Sequence, residues 1–188
     1  MIYPIYIYGQ PVLREVAADI SKDYPELDKL IADMRETLAH SGGIGLAAPQ
    51  IGLSIRVVIM DLDLISDDYP EYKDFRPVYI NAHIVEYDDK ETETSDEGCL
   101  SLPGLSEPVR RPKRIRVQWL DEKFEAHDEW IDGYLSVVMQ HEFDHLEGKL
   151  YIDHLSAFRK TLIKKKLQSL IKGDFECSYK CKIRKPMR

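Results

Sequence analysis

His141 and His145 stand four residues apart in the stretch QHEFDHLEG (residues 140–148), with Glu142 between them. On a helix this spacing turns both imidazoles to one side. Such a pair can hold a divalent metal while the carboxylate works on a water that the metal activates. With six histidines in 188 residues the pattern arises by chance far less than once, so the bland alternative of two surface histidines is the weaker one. Two histidines still leave a site incomplete. The third ligand decides what the motif is.

Several candidates exist for that ligand. Metzincin proteases place a further histidine three residues past a glycine; here Gly148 is present but Tyr151 fills that slot, and a neutral phenol is a poor substitute. Thermolysin-like enzymes use a downstream glutamate; beyond Glu147 the next is Glu176, awkwardly placed past the last helix. His40, His83, His127 and His154 have no motif of their own, and Cys177 and Cys181 form a lone pair of thiols four apart. Cys99, in the turn-rich stretch EGCLSLPG (residues 97–104), reads by itself as a small buried hydrophobe. Beside an orphan two-histidine site, its thiolate is the economical third ligand, and the fourth position stays open for water.

The elements that must position these groups follow from periodicity. Leu27, Leu30, Ile31, Met34 and Leu38 fall at helical spacing, and Gly42 and Gly43 stop that helix. Residues 55–61, 77–87, 114–120 and 123–131 read as strands. Asp132 is a candidate N-cap for a helix over residues 133–147 closed by Gly148. Its apolar stripe of Leu135, Val138, Met139 and Leu146 takes the histidines into the protein. A last helix over residues 156–172 sets Leu162, Ile163, Leu167, Leu170 and Ile171 opposite lysines. Residues 63–75, acidic and rich in tyrosine, read as a surface loop. Strands and helices without strict alternation give an α+β class.

A chain of 188 residues, 44% of them apolar, suits one domain with a real core. The expected division is a catalytic domain over residues 1–173 and a basic tail over residues 174–188. No stretch reaches the length of a membrane span, so no membrane is expected as a partner, nor any specific DNA. The first residues lack a basic run followed by a small-residue cleavage site, and three cysteines make no disulfide framework, so a cytoplasmic location is expected. Residues 159–188 carry eleven Lys and Arg against two Asp and Glu, on a chain whose net charge is -7. That basic segment suggests docking to a polyanion, with a solvated helix face and frayed terminus as the plain alternative.

GGIGLAAPQIG (residues 42–52) has glycines that let backbone approach a ligand closely, and a polar Gln50 in an apolar run. Together GIGLAAPQ, EGCLS and QHEFDH, in this order and at these separations, resemble peptide deformylase, and the resemblance spans nearly the whole chain. It implies mixed and antiparallel sheets packed around a central metal-binding helix, with a C-terminal helix. It implies removal of the formyl group from the N-terminal formylmethionine of new polypeptides. Carried over by motif position, Cys99, His141 and His145 are the metal ligands and Glu142 the general base and proton shuttle. Gln50 and the Leu100 backbone N–H donate to the developing oxyanion.

The resemblance implies Fe²⁺, with Zn²⁺, Ni²⁺ or Co²⁺ accepted, whereas ligand softness alone suggests zinc. Ile44, Gly45, Val137 and Val138 are expected to line a slot for the methionine side chain, with Tyr134 at its rim. Glu97 is expected to brace a partner at the metal site. Many deformylases carry a substrate-gripping arginine shortly after the cysteine; here Ser106 and Glu107 occupy that region, with arginines only at Arg110 and Arg111, and none is assigned the role. Nascent chains are the expected substrate, and ribosome docking through the basic C-terminal segment is the expected partner contact. Two rivals remain: another metallopeptidase using the same water chemistry, and a non-catalytic zinc module.

Overall fold

The computed structural model describes residues 1–184, so residues 185–188 of the expected tail lie outside the described part. In chain order its elements are β1 (Ile5–Tyr6), α1 (Leu27–Ser41), β2 (Gly45–Ala47), β3 (Val57–Met60) and β4 (Val78–Gly98), then β5 (Ser106–Leu120), β6 (Ala126–Ile131), α2 (Gly133–Leu146), α3 (Ala157–Lys172) and β7 (Cys181–Lys182). The five strands β2-β3-β4-β5-β6 form one antiparallel sheet in that order, and β1 pairs with β7 in a separate parallel pair. This is the expected α+β arrangement of sheets around a central helix.

Strand alternation explains the layering. Along β3 every side chain is buried, yet successive residues point to opposite faces. Val57 and Ile59 join Met34, Leu38 and Leu46 in a cluster on the α1 side. Val58 and Met60 join Met139, Phe143 and Leu146 in a cluster on the α2 side. β3 is therefore the filling between the two helices, and both its faces read as apolar because neither meets water.

β4 and β5 run much longer than the residues 77–87 and 114–120 read from periodicity. Their outer halves alternate charge across the pair instead of apolarity along the strand. Asp88 lies opposite Arg114, and Lys113 Nζ reaches Glu91 Oε2 at 2.9 Å. Cross-strand pairs of this kind hold a solvated hairpin that apolar patterning cannot show. Register shifts near Ile80, Ile84 and Asp88 bend β4, and its far end delivers Glu97, Gly98 and then Cys99 to the flank of α2.

α2 is buried nearly all round: from Ser136 to Leu146 only His141 keeps partial exposure. Asp132 has the extended backbone of an N-cap, but its side chain makes no capping bond. Gly148, at φ +65°, closes the segment; a Cβ there would stand 2.7 Å from Arg14 O, so only glycine fits. α3 begins where expected, with Ser156 Oγ accepting from Arg159 N. It buries only Ile163 and Leu170, while Leu162 is 62% exposed, so the expected apolar stripe is narrower than the sequence suggests. The chain then turns back at Gly173, and Ile5 N donates to Lys180 O as β7 joins β1. Of residues 174–184, Phe175, Tyr179 and Cys181 are half-buried and the others exposed.

Candidate active site

A buried helix that carries Ser136, Gln140, Glu142, Asp144 and His145 must satisfy each polar group from its surroundings or lose stability. Gln140 Nε2 donates to Pro112 O at 2.9 Å. Asp144 Oδ2 accepts from Arg111 Nη1 at 2.9 Å and lies 2.7 Å from His154 Nε2. The remaining polar groups, Glu142 and the two histidines of the motif, converge on one point.

Cys99 Sγ lies 3.3 Å from His145 Nε2, and ligand atoms of Cys99, His141 and His145 all fall within 4.8 Å of one another. Among the described residues this is the one group of three or more such side chains placed to hold a metal. The donor set fits a divalent cation on its own chemistry. A sulfur at about 2.3 Å and a nitrogen at about 2.05 Å on a tetrahedral centre sit about 3.6 Å apart, close to the spacing found here. Three protein donors leave one position free, the mark of a catalytic rather than a structural site.

His141 Nδ1 donates to Glu97 Oε2 at 2.8 Å, which turns its other nitrogen toward the thiol. Glu97 is itself gripped by Arg111, through Nε to Oε1 at 2.5 Å and Nη2 to Oε2 at 2.9 Å. Arg111 is 3% exposed and Glu97 5%, so this is a fully desolvated, bidentate pair. Sequence reasoning gave Glu97 a bracing role but passed over Arg111. The one signal for it was a charge at a strand position whose neighbours alternate inward. The ring of Tyr151, rejected as a ligand, stacks on His141 with centroids 5.9 Å apart, and its hydroxyl donates to Leu105 O.

The electrostatics follow from burial and charge. Burial alone raises the Cys99 thiol, but the charges of His145 and His141 and their hydrogen bonds outweigh it and bring it down to about 5. Cys99 is thus a thiolate at neutral pH, the form a metal needs. Burial would likewise raise Glu97, yet hydrogen bonds from His141 and Arg111 hold it below its ordinary value. Glu142 goes the other way: burial raises it, with the histidines only partly opposing. Its Oε2 is buried with no hydrogen-bond partner among the described protein groups.

A cavity of about 630 Å³ opens beside this cluster. Ile44, Val137 and Val138 supply apolar lining and Tyr134 lies at the same cavity, as do Gly45, Gln50 and Leu100. Glu97, Cys99, His141 and Glu142 reach it too, while His145, 1% exposed, stands behind. Gln50 is held at both ends: Oε1 accepts from Ala47 N at 2.9 Å, and Nε2 lies 3.4 Å from both Cys99 Sγ and Ser101 Oγ. A Cβ at Gly45 would stand 2.7 Å from Glu142 Cδ, so glycine is what lets β2 pass so close to that carboxylate.

Two further segments that the motifs did not indicate bear on the cavity, one by packing against Tyr134 and one by lining it. The acidic insertion is folded by Arg76, which bonds Asp61 and Asp63, and its Tyr69 stacks on Tyr134 at 5.3 Å between centroids. Tyr72 Oη accepts from Leu135 N at the start of α2. From the C-terminal side, Glu176, Cys177, Ser178 and Tyr179 line the cavity, and Tyr179 Oη donates to Leu100 O at 2.8 Å. The Cys177 and Cys181 sulfurs are 2.7 Å apart as free thiols.

The polypeptide deformylase family model matches residues 2–161. A peptide deformylase of Cytophaga hutchinsonii is 42% identical over 182 residues, covering 97% of each chain. One from Christiangramia forsetii is 44% identical over 96% of this chain and 95% of its own. The crystal structure of the Thermotoga maritima peptide deformylase superposes with a TM-score of 0.73 at 41% identity, over 83% of this chain and 99% of that one. A Plasmodium falciparum peptide deformylase complexed with an inhibitor gives a TM-score of 0.77 at 31% identity, over 89% and 99%. No described helix is long and apolar enough to cross a membrane. With coverage this complete at these identities, the chain belongs to the polypeptide deformylase family of enzymes.

Proposed function

We propose that this enzyme hydrolyses the formyl group from the N-terminal formylmethionine of newly synthesised polypeptides, with one divalent metal ion held by Cys99, His141 and His145. The observation that carries this reading is the convergence of a thiolate and two imidazoles beside a buried Glu142 and an apolar slot. A cation bound there supplies Lewis acidity, which polarises the formyl carbonyl and acidifies a water. Fe²⁺ is the assigned ion, with Zn²⁺, Ni²⁺ and Co²⁺ able to replace it. A thiolate donor makes the centre less positive than three histidines do.

The chain's own residues then divide the work. Glu142, raised by burial, takes a proton from the attacking water and delivers it to the departing amine. Gln50 Nε2, fixed through Ala47 N, donates to the oxygen on which negative charge develops, and the Leu100 N–H donates beside it. Ile44, Val137 and Val138 receive the methionine side chain, with Tyr134 at the rim and the Gly45 backbone alongside. Glu97, backed by Arg111, fixes the ring of His141.

Residues 1–173 form the catalytic domain in this reading, the enzyme works in the cytoplasm, and the basic face of α3 docks on ribosomal RNA near the emerging chain. Arg159, Lys160, Lys164, Lys165 and Lys166 are all exposed on α3, which supports that contact. Reversing the charge of Lys164, Lys165 and Lys166 is expected to weaken ribosome co-sedimentation at physiological salt; unchanged binding sinks the docking. The activity itself is tested with formyl-Met-Ala and unformylated Met-Ala. Formate release from the first with no cleavage of the second is expected, and cleavage of the Met–Ala bond contradicts the assignment in favour of a peptidase.

A further inference from the structure

Cys177 and Cys181 have no part in the metal site, yet Cys177 lines the cavity beside it. Cys177 is exposed, and Cys181 is half-buried in β7, where it pairs with Ile5. Both thiols turn to one acceptor: Cys177 Sγ donates to Tyr179 O at 3.2 Å, and Cys181 Sγ donates to the same oxygen at 3.5 Å. That shared carbonyl brings the two sulfurs to 2.7 Å from each other. The pairing of β7 with β1 and the packing of Tyr179 and Cys181 on the main apolar cluster fix the backbone around them. The approach of the sulfurs is set by the fold.

The residue enclosed between the two thiols faces the chemistry. Tyr179 Oη donates to Leu100 O at 2.8 Å, and Leu100 is the neighbour of the ligand Cys99 whose N–H is assigned to the oxyanion. A change in the backbone of residues 177–181 therefore passes through one ring to the Leu100 peptide. Closing a bond between the sulfurs takes both S–H donors away from Tyr179 O, so that carbonyl and the ring it carries must settle in a new position. Reducing surroundings keep such a pair as thiols, and exposed pairs are the ones whose disulfides form and open reversibly.

We propose that Cys177 and Cys181 are a reversible thiol–disulfide exchange site, oxidised by a small disulfide, and that the closed bridge slows the enzyme through Tyr179 and Leu100. The exposed Cys177, as its thiolate, attacks one sulfur of the small disulfide and expels the other half as a thiolate. Cys181 then releases its proton to solvent and attacks the Cys177 sulfur, expelling the second half. Two protein thiols become one disulfide, and the small disulfide is reduced to two thiols. Burial and the neighbouring Cys177 push the Cys181 thiol up to about 12, so Cys181 is the resolving sulfur and Cys177 the attacking one. Tyr179 is a positioning residue. The effect on rate rests on the deformylase reading; the bridge itself does not.

The test exposes the full Zn²⁺-loaded enzyme, whose metal has no redox chemistry, to glutathione disulfide. The protein is then alkylated and digested with trypsin, which cuts after Lys180 and so separates the two cysteines. Fragments 173–180 and 181–182 should stay joined until dithiothreitol frees them. The kcat on formyl-Met-Ala should fall about two- to tenfold, the effect of one neutral hydrogen bond, and recover with dithiothreitol. Tyr179→Phe, which already lacks the bond to Leu100, should form the bridge with no further fall in kcat. In Cys181→Ser, glutathione should remain attached to Cys177. Failure to form the bridge, a bridge to Cys99 instead, or a bridge that leaves kcat unchanged overturns the proposal. A reduced enzyme that releases no formate defeats the deformylase reading instead, and the joined fragments still report the bridge.

Discussion

Glu97 holds the Nδ1–H of His141 at 2.8 Å, and the carboxylate that does so is itself pinned from behind by Arg111. Arg111 also holds Asp144, the residue before His145, so one guanidinium braces the neighbourhood of both ligand histidines. A ligand ring whose tautomer and orientation are fixed before metal arrives binds with less loss of freedom. Replacing Glu97 by Ala should lower metal affinity about 10- to 100-fold. Competition against a chelator of known strength measures it, and an unchanged affinity would show that Glu97 is a bystander.

Removing the guanidinium should be costlier to the fold than to the chemistry. Arg111→Met leaves Glu97 and Asp144 buried without their cation, and breaking such a pair typically costs about 3–5 kcal/mol. Urea unfolding at neutral pH should report a loss of that size.

The same two carboxylates set an acid limit. In the folded chain both lie below their ordinary values of 4.5 and 3.8, despite the burial that opposes this. Depressed carboxylates stabilise the fold above those ordinary values, and the contribution disappears as pH falls through the lower, folded-state values. The metal-free protein should therefore lose stability steadily below about pH 4, and the deficit of Arg111→Met should narrow there as the carboxylates protonate. A variant deficit independent of pH contradicts the clamp.

Glu142→Gln keeps the size and the hydrogen-bonding capacity of the side chain but not its basicity. Metal content should stay at the unsubstituted level while formate release falls about 10²- to 10⁴-fold. Full turnover in that variant would remove the proton shuttle from the mechanism and favour a non-catalytic metal module.

Gly45→Ala probes the same carboxylate from the other side. The new methyl would press against Glu142, which must shift away from the site. Metal binding should persist and kcat should fall, with KM less affected. Substitution of Gln50 by Ala, in contrast, removes an oxyanion donor and should cost about 3 kcal/mol in the transition state, read from kcat.

The grouping of Cys99, His141 and His145 was legible because its signal is local: a four-residue spacing on a helix and a thiol inside a short motif. α1, α2 and α3 were legible from the periodicity of Leu30, Val138 and Ile163 and from the glycines that end them. The outer halves of β4 and β5 were not, because pairs such as Asp88 with Arg114 specify a strand only once their partner is known. Arg111 lay outside the strand read over residues 114–120, and nothing in the sequence shows that its side chain reaches Glu97. Glu176 and Tyr179 were read as tail because a polar segment reveals nothing of a return path fixed by β7 pairing with β1. Tyr69 and Tyr72 were hidden likewise, since the stacking of Tyr69 on Tyr134 and the bond from Leu135 N to Tyr72 Oη depend on a fold of the insertion that no periodicity encodes.

The account stands on Cys99 sharing one cation with His141 and His145, and the absorption spectrum of the Co²⁺-loaded enzyme tests this most directly. One Co²⁺ per chain should give an intense near-ultraviolet thiolate-to-metal band that vanishes in Cys99→Ser. A spectrum without that band, or a band that Cys99→Ser leaves in place, contradicts the site.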